Sequence, residues 1–457
     1  MADAISPDKC KQLQLSQKEA VHDTIDETVV NIDPCEVKPE PSHGGANKEE
    51  LGPEAHILKI HRFPSSLRRF GADGDYIAPW AVSLGPYHHG KPELQAMEEI
   101  KRKVVDYFFE QPEVAASQEA ALEMMKPVAR QARGLYADAA VLEGTTDDEF
   151  ASMMFIDGCF LVQYMVSHCT EDQESSPVCV MSKPYSGSID RDMLLLENQI
   201  PWPVIEFFMA LRRGILSMGL LIGPLFLGVQ GTLRKEFLSV DFNWSYKPSY
   251  LLDLFHFYLA GSSNIKKELS DPQWISDMQL TTSAAELEGM CVKLKVGQTT
   301  RLSDISIVKG HIFANLSLPP LSLAEKTSAC CLVNMVALEM HDVSDANGVN
   351  SYLAILAQLM SQEDDVRELR ARGIIRGLFA DRQTLEFFSG LAPSLYVGDA
   401  YYRFIVDLAE YKHKRWLWIA VYRFFHNNAK IIATVLPIIG VLVGILKTLL
   451  SIKQKQQ

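Results

Sequence analysis

The feature that most constrains this chain is an apolar run near its end, from Ile431 to Leu446. It reads IIATVLPIIGVLVGIL, in which eleven of sixteen residues are Ile, Leu or Val, and it is bracketed by Lys430 and Lys447. Each such residue favours the bilayer centre by roughly 0.3–0.6 kcal/mol. Continued for about six more residues, the helix would be about 33 Å long, enough for a hydrocarbon core of about 30 Å. The sequence therefore predicts one C-terminal transmembrane anchor at residues 429–452.

The alternative for this run is a C-terminal helix buried in the core of the folded body. The run has no polar face, and only a short polar tail at residues 453–457 follows it, which favours lipid over a protein core. Trp416, Trp418 and Tyr422 precede it, as aromatic residues do at a membrane–water interface. The predicted anchor residues are Ile431, Val435, Leu436, Ile439, Leu442 and Leu446.

Charge and signals around the anchor predict the side on which the body lies. Residues 401–457 carry nine Lys or Arg and two acidic residues, which suits an anionic cytoplasmic leaflet. The first twenty residues contain no apolar signal-peptide region. We therefore expect a body on the cytoplasmic side of either the plasma membrane or an endomembrane, with the lipid bilayer as one partner.

The overall composition excludes several function classes. A net charge of −13 over 457 residues disfavours a nucleic-acid partner, since phosphate binding needs clustered Lys and Arg. The eight cysteines form no C-x-x-C pair, so neither a zinc ribbon nor a redox motif is indicated. Residues 1–52 contain no aromatic side chain and predict a disordered acidic N-terminal tail.

Residues 53–427 predict a mainly α fold, one large helical domain with a small antiparallel β element. Helical periodicity marks residues 94–109, and longer amphipathic helices are expected over 352–372 and 399–426. A nearly all-apolar helix at 153–165 is expected to break at Asp157–Gly158. A capping box, Ser283 with Glu286, precedes the clearest strand, residues 291–296; two short antiparallel strands are expected within 304–324. The apolar run 215–229 suits a core helix hairpin, an interfacial segment or a short span.

The segment GPYHHGK resembles a phosphate-binding loop in its first seven positions. Its residues are Gly85, Pro86, Tyr87, His88, His89, Gly90 and Lys91. Pro92 stands where that motif needs Ser or Thr, so we expect no nucleotide. Adjacent histidines point in different directions on a strand or a helix, so we expect hydrogen-bonded structural histidines, no metal site and no cofactor.

A polar island precedes a helix that starts after Pro201. It consists of Asp192, Glu197, Asn198 and Gln199. Such groups commonly cap a helix or bond to buried backbone, and we expect that role here. Acid–base catalysis by Asp192 and Glu197 is the alternative. The acidic cluster at residues 363–365 is expected to be a solvated helix face.

Several blocks in order resemble the plant proteins grouped as domain of unknown function 247. They are IHRFPSSLRR, YIAPWAVSLGPYHHGKPELQAMEEIKRK, MMFIDGCFLV, RDMLLLENQIPWPVI, TTSAAELEGMCVKLK and LVNMVALEM, and the apolar tail also fits. The chain departs from the family pattern at Asn427–Asn428, where Pro-Trp is usual, and at Val333–Asn334, where Arg-Asn is usual.

This resemblance implies a plant membrane protein with a mainly helical body and one C-terminal span, and it implies no agreed activity. It marks Asp157, Gly158 and Pro201 as signature residues, together with the GPYHHG segment and the polar island, without giving them a role. We expect a non-enzymatic interaction, recognition or signalling protein with an unidentified protein partner. Two alternatives stay open: a pollen-side self-incompatibility determinant like some grass members, and an uncharacterised enzyme that uses the island around Asp192 and Glu197.

Overall fold

Helices make up most of the residues that the structure describes. The computed structural model describes residues 58–68, 70, 76–114, 116–167, 177–212, 246–261, 282–310, 312–323, 326–342, 347–428, 433–435, 437–445 and 447. The predicted N-terminal tail at 1–52, the apolar run 215–229 and the polar tail 453–457 lie outside these residues.

The helices are numbered here in chain order. They are α1 (Gln95–Phe109), α2 (Gln118–Arg133), α3 (Asp147–Ser167), α4 (Pro177–Ser182), α5 (Ser186–Asp192), α6 (Trp202–Leu211), α7 (Leu251–Ala260), α8 (Ala284–Gly289), α9 (Lys326–Glu339), α10 (Gly348–Leu359), α11 (Glu363–Ala371), α12 (Asp381–Leu391), α13 (Asp399–Lys414) and α14 (Trp416–Asn427). The predicted mainly helical fold is confirmed. The capping box of Ser283 and Glu286 opens α8, and α6 begins directly after Pro201, as predicted.

Helix α3 is the centre of the N-terminal half, where it packs against α1, α2 and α6. The expected break at Asp157–Gly158 is wrong, because α3 continues through both residues. Asp157 stays in the helix since its carboxylate binds Lys101, and Gly158 lets α6 approach. A Cβ on Gly158 would lie 2.6 Å from a methyl carbon of Val204 and 2.9 Å from the ring of Phe208.

The β element is mixed, so the expectation of an antiparallel element is only partly right. Strands β2 (Ser306–Lys309) and β3 (Ala314–Leu318) form the expected antiparallel hairpin around Gly310, while β1 (Val292–Val296) pairs with β3 in parallel. Parallel pairing arises because the chain between β1 and β2 crosses to the other edge of β3. Strands β4 (Leu321–Leu323) and β5 (Ile375–Gly377) form a second, parallel pair.

Two helices predicted as continuous are each divided. The segment 352–372 splits between α10 and α11, where the carboxylate of Asp365 accepts the N–H groups of Ser361, Gln362 and Ala285. Asp365 is fully buried, so the expected solvated acidic face is wrong at that residue. The segment 399–426 splits at Arg415, whose guanidinium donates to the carbonyl of Gly310 at 2.7 Å.

Apolar helices within the described residues fall into two groups. Helix α3 is long and apolar enough to cross a membrane, but 89% of its most apolar stretch is buried inside the body. Shorter apolar helices include Ala433–Ile445, which we call the terminal apolar helix. It covers part of the predicted anchor at 429–452. Trp416 and Trp418 of the expected aromatic belt are exposed, whereas Tyr422 packs its ring edge-on against Phe313.

The close approach of α6 to α3 yields a stability prediction. We expect Gly158→Ala to lower the free energy of unfolding by about 1–3 kcal/mol, because the new methyl group overlaps Val204 and Phe208. Gly187→Ala in α5 is the control, since its Cβ meets no atom within 4 Å. Alanine there should be neutral or stabilising by up to about 1 kcal/mol. Equal effects of the two substitutions in urea denaturation would contradict this packing.

Candidate functional site

The signature segment from Trp80 to Lys91 crosses the interior without forming a helix or a strand of its own. Its backbone groups therefore need other partners, since a buried N–H or C=O without one is costly. Side chains from α1, α3 and residues 191–199 supply them. We call this set of groups the buried polar network.

Asp192 binds the start of the segment. Its two carboxylate oxygens accept the backbone N–H groups of Trp80, Ala81 and Val82 at 2.7–3.0 Å. The guanidinium of Arg191 pairs with the same carboxylate at 2.6 Å and stacks on the ring of Trp80 at 3.9 Å. Burial raises the pKa of Asp192 although these hydrogen bonds favour the charged form. The two oxygens of the Asp192 carboxylate thus accept their hydrogen bonds from groups of the fold itself.

Asn198 and Gln199 also bind backbone groups through their side chains. The side-chain oxygen of Asn198 accepts the N–H of Leu84 at 2.7 Å, and its amide nitrogen donates to the carbonyl of Val82 at 3.0 Å. The amide of Gln199 donates to two carbonyls of its own loop and accepts the N–H of Leu252 at 3.0 Å. Both residues therefore have the backbone-binding role that was expected for the polar island.

A buried charge cluster holds the middle of the segment. The ammonium of Lys101, which is fully buried, pairs with Asp157 at 2.7 Å and Glu98 at 2.6 Å and donates to the carbonyl of Ser83. Asp157 also accepts the N–H of Gly85 at 2.8 Å. Burial raises the pKa of Asp157, and the charge of Lys101 opposes that rise.

The glycines of the GPYHHG segment have different reasons to be glycine. Gly85 has φ +75°, and a Cβ there would lie 2.7 Å from the hydroxyl of Tyr136 and 2.8 Å from the carbonyl of Gln199. Gly90 has φ +76° in open space, so only its backbone conformation requires glycine. Between them, Pro86 and Tyr87 are buried, and the Tyr87 hydroxyl donates to the carbonyl of Ile60 at 3.0 Å.

The side chains of His88 and Glu197 are buried and lie close to each other, while His89 is exposed. Burial, with the charges of Lys91 and Arg62, lowers the pKa of His88 to about 3, so its ring is neutral at pH 7. Its Nδ1 accepts from Lys91 at 2.8 Å, which leaves the proton on Nε2. Nε2 lies 3.7 Å from a carboxylate oxygen of Glu197, too far for a hydrogen bond.

The other oxygen of Glu197 serves the backbone. It accepts the N–H of Phe63 at 2.8 Å and a bond from Arg68 at 3.1 Å. Within the described residues, no group of three His, Cys, Asp or Glu side chains is placed to hold a metal ion. A cleft of about 1060 Å³ lies between the Ser65–Ser66 turn and α12, and its lining includes none of the signature residues.

Several residues of comparable importance are absent from the predicted site. Lys101 lies on the same face of α1 as Met97 and Val104, and its position on this apolar stripe is the signal that could have marked it. Asn334 is fully buried in α9; it accepts the N–H of Leu196 and donates to the carbonyl of Tyr76. Another ion pair joins His256 and Glu339 at 2.7 Å. Asn334 could have been marked by its position inside an apolar block and by the Arg-Asn pair that the family usually has there.

The chain belongs to the plant family of proteins of unknown function designated DUF247, whose sequence profile matches residues 60–443. It is similar to UPF0481 protein At3g47200 of Arabidopsis thaliana, with 24% identity over 402 residues, 82% of this chain and 81% of the relative. It is also similar to putative UPF0481 protein At3g02645 of the same plant, with 26% identity over 161 residues, 35% of this chain and 28% of the relative. No solved structure matches.

Removing the central cation of the network should destabilise the fold. We expect Lys101→Met to lower the free energy of unfolding by about 3–5 kcal/mol, because it leaves Asp157 and Glu98 buried without their partner. Lys103→Met, on the exposed side of α1, is the matched control and should change stability by less than about 0.5 kcal/mol.

A double-mutant cycle checks that the pair itself is responsible. The amide in Asp157→Asn still accepts from Gly85 but carries no charge, so the double variant Lys101→Met/Asp157→Asn should be more stable than the sum of the single effects predicts. We expect a coupling energy of about 1–3 kcal/mol. Strict additivity would mean that Lys101 stabilises the fold through its other contacts and not through its pair with Asp157.

The neutral state of His88 makes a pH prediction. Because the folded pKa of about 3 lies below the ordinary 6.5, the unfolded chain binds more protons between these values and stability falls as pH drops below 6.5. His88→Gln should reduce the loss between pH 6.5 and about pH 4 by about 3 kcal/mol. His89→Gln, exposed, should leave the profile unchanged. Coinciding profiles for wild type and His88→Gln would contradict the burial of a neutral ring.

Proposed function

We propose that this protein is a membrane-anchored plant protein that acts by binding a protein partner, in recognition or signalling, without turning over a substrate. The terminal apolar helix inserts in a bilayer, and the helical body stays on the cytoplasmic side. The single observation that carries this proposal is the exposure of that helix.

The described side chains of the terminal apolar helix are exposed. Val435, Ile439 and Leu442 are 42%, 50% and 60% exposed, and they would be expected in a core if this were a buried C-terminal helix. Exposed apolar surface of this length is unfavourable in water and favourable in lipid. The remaining predicted anchor residues Ile431, Leu436 and Leu446 lie outside the described residues.

Charge supports the proposed cytoplasmic side. Residues 401–457 hold nine of the basic residues and two acidic ones, in a chain of net charge −13. This concentration beside the anchor suits an anionic leaflet. The side chains of α13 facing outward include Lys412 and Lys414.

The use of the signature residues supports an interaction role. Asp192, Asn198 and Gln199 form hydrogen bonds to backbone groups, so they fix the conformation of the body and do not present reactive groups. We expect a partner to recognise the surface of the body in this fixed conformation.

A second candidate, an enzyme, draws on the contact between His88 and Glu197. The Nε2 proton of His88 faces the Glu197 carboxylate without a hydrogen bond. However, Lys91 occupies the lone pair of Nδ1, so the ring has no free basic nitrogen. Catalysis would require a conformational change that releases Lys91, and we rank this candidate second.

The anchor is tested by extraction from membranes. We expect the wild-type chain expressed in plant cells to stay in the membrane pellet after alkaline carbonate, because peripheral contacts break there and inserted helices do not. The variant Val435→Lys/Ile439→Lys/Leu442→Lys should appear in the soluble fraction, since each Lys at the span centre costs about 2.5–3.5 kcal/mol.

The control variant is Leu378→Lys, which adds a charge at a side chain 83% exposed on the body and should stay in the pellet. Protease added to sealed microsomes should digest the body if it faces the cytoplasm. Proximity labelling from the N-terminus should mark membrane-located neighbours in the wild type and lose them in the triple variant. Release of the wild type by carbonate would overturn the anchored function.

A further inference from the structure

Helix α14 turns an apolar face away from the body. Trp416, Leu417 and Phe424 are 64%, 61% and 63% exposed. The face also includes Val421 and Phe425. Leu417, Val421 and Phe424 lie at i, i+4 and i+7, so they form one stripe. In an ordinary surface helix such a stripe faces the core, and here it faces outward.

The opposite face of α14 is fixed to the body. Ile419 is buried, Tyr422 packs against Phe313 with ring centroids 5.6 Å apart, and the indole N–H of Trp418 donates to the carbonyl of Ile312 at 3.2 Å. Ile312 is itself exposed. The outward face therefore has a defined orientation, and Ile312 extends it onto the hairpin of β2 and β3.

Chain length restricts how far α14 can lie from the proposed anchor. Five peptide units separate residue 428 from Ala433, the first residue of the terminal apolar helix. Fully extended, they span at most about 18 Å. Helix α14 is itself about 18 Å long. Once the terminal apolar helix is inserted, the end of α14 must stay within about 18 Å of the point where that helix meets the bilayer surface.

Charges at the ends of α14 complement an anionic membrane surface. Lys412 and Lys414 precede the helix, and Arg423 lies exposed near its end. Long cationic side chains reach headgroups while their stems cover apolar surface. Trp residues favour the same interfacial depth.

We propose that the outward face of α14, with Ile312, lies in the interfacial layer of the bilayer that holds the terminal apolar helix. This inference rests on the proposed anchor and adds a second contact, which fixes how the body is oriented on the membrane. The occupant of this face is lipid, because the tether brings a bilayer to it and its flanking charge suits anionic headgroups.

Hydroxyl-radical footprinting of the full chain tests this contact. Nanodiscs of phosphatidylcholine and phosphatidylserine that hold one chain, and in a parallel sample two chains, are oxidised, and modification is read by mass spectrometry. We expect Trp416 and Phe424 to react at least about threefold more slowly than their exposed fractions predict. Trp80 and Tyr396, exposed elsewhere on the body, serve as internal controls and should react normally.

A paired variant separates lipid contact from folding. Leu417→Glu/Phe424→Glu places two carboxylates on the outward face and should restore the reactivity of Trp416, while resistance to carbonate and the thermal unfolding of the body stay as in the wild type. Leu378→Glu should change neither.

The outcomes distinguish the two proposals. A chain that resists carbonate but whose Trp416 and Phe424 react like the controls overturns the interfacial contact and leaves the anchor standing. A chain released by carbonate overturns both. Protection found only in discs that hold two chains would assign the face to a second copy and overturn the lipid contact.

Discussion

The structure depends on satisfying a buried length of backbone that forms neither helix nor strand. From Trp80 to Gly85, five of six N–H groups are accepted by Asp192, Asn198 or Asp157. These acceptors come from three different elements, so the segment joins them. Each bond contributes only about 1 kcal/mol, whereas an acceptor removed leaves a donor buried without a partner at a cost of about 1–3 kcal/mol. The network therefore specifies the arrangement of α1, α3 and α5 more than it adds net stability.

Local signals in the sequence predicted local structure well. The capping box at Ser283, the helix start after Pro201 and the strand at residues 292–296 each need only neighbouring residues, and all three are confirmed. Predictions failed where the local structure depends on a residue that is distant in the sequence. Asp157 stays helical because of Lys101, fifty-six positions away, and Asp365 divides a predicted helix while it binds Ala285, eighty positions away. The crossing that makes β1 parallel to β3 leaves no mark in either strand.

For the site, the sequence indicated several residues of the buried polar network but not all of their partners. The expected backbone-binding role holds for the island, but the sequence could not show that Lys101 and Asn334 complete it. Residue type alone also could not separate His88 from His89, since burial of one and exposure of the other is a tertiary property. The anchor at residues 429–452 stays a prediction.

The separation of the network's partners along the chain has a consequence for biosynthesis. The carbonyl of Tyr76 waits for Asn334, 258 positions later, and Trp80 waits for Asp192, 112 positions later. The polypeptide leaving a ribosome thus cannot close this part of its interior until Asn334 has been made, and contacts of such span form slowly. Nascent copies therefore depend on chaperones to shield the incomplete interior until these distant partners have emerged.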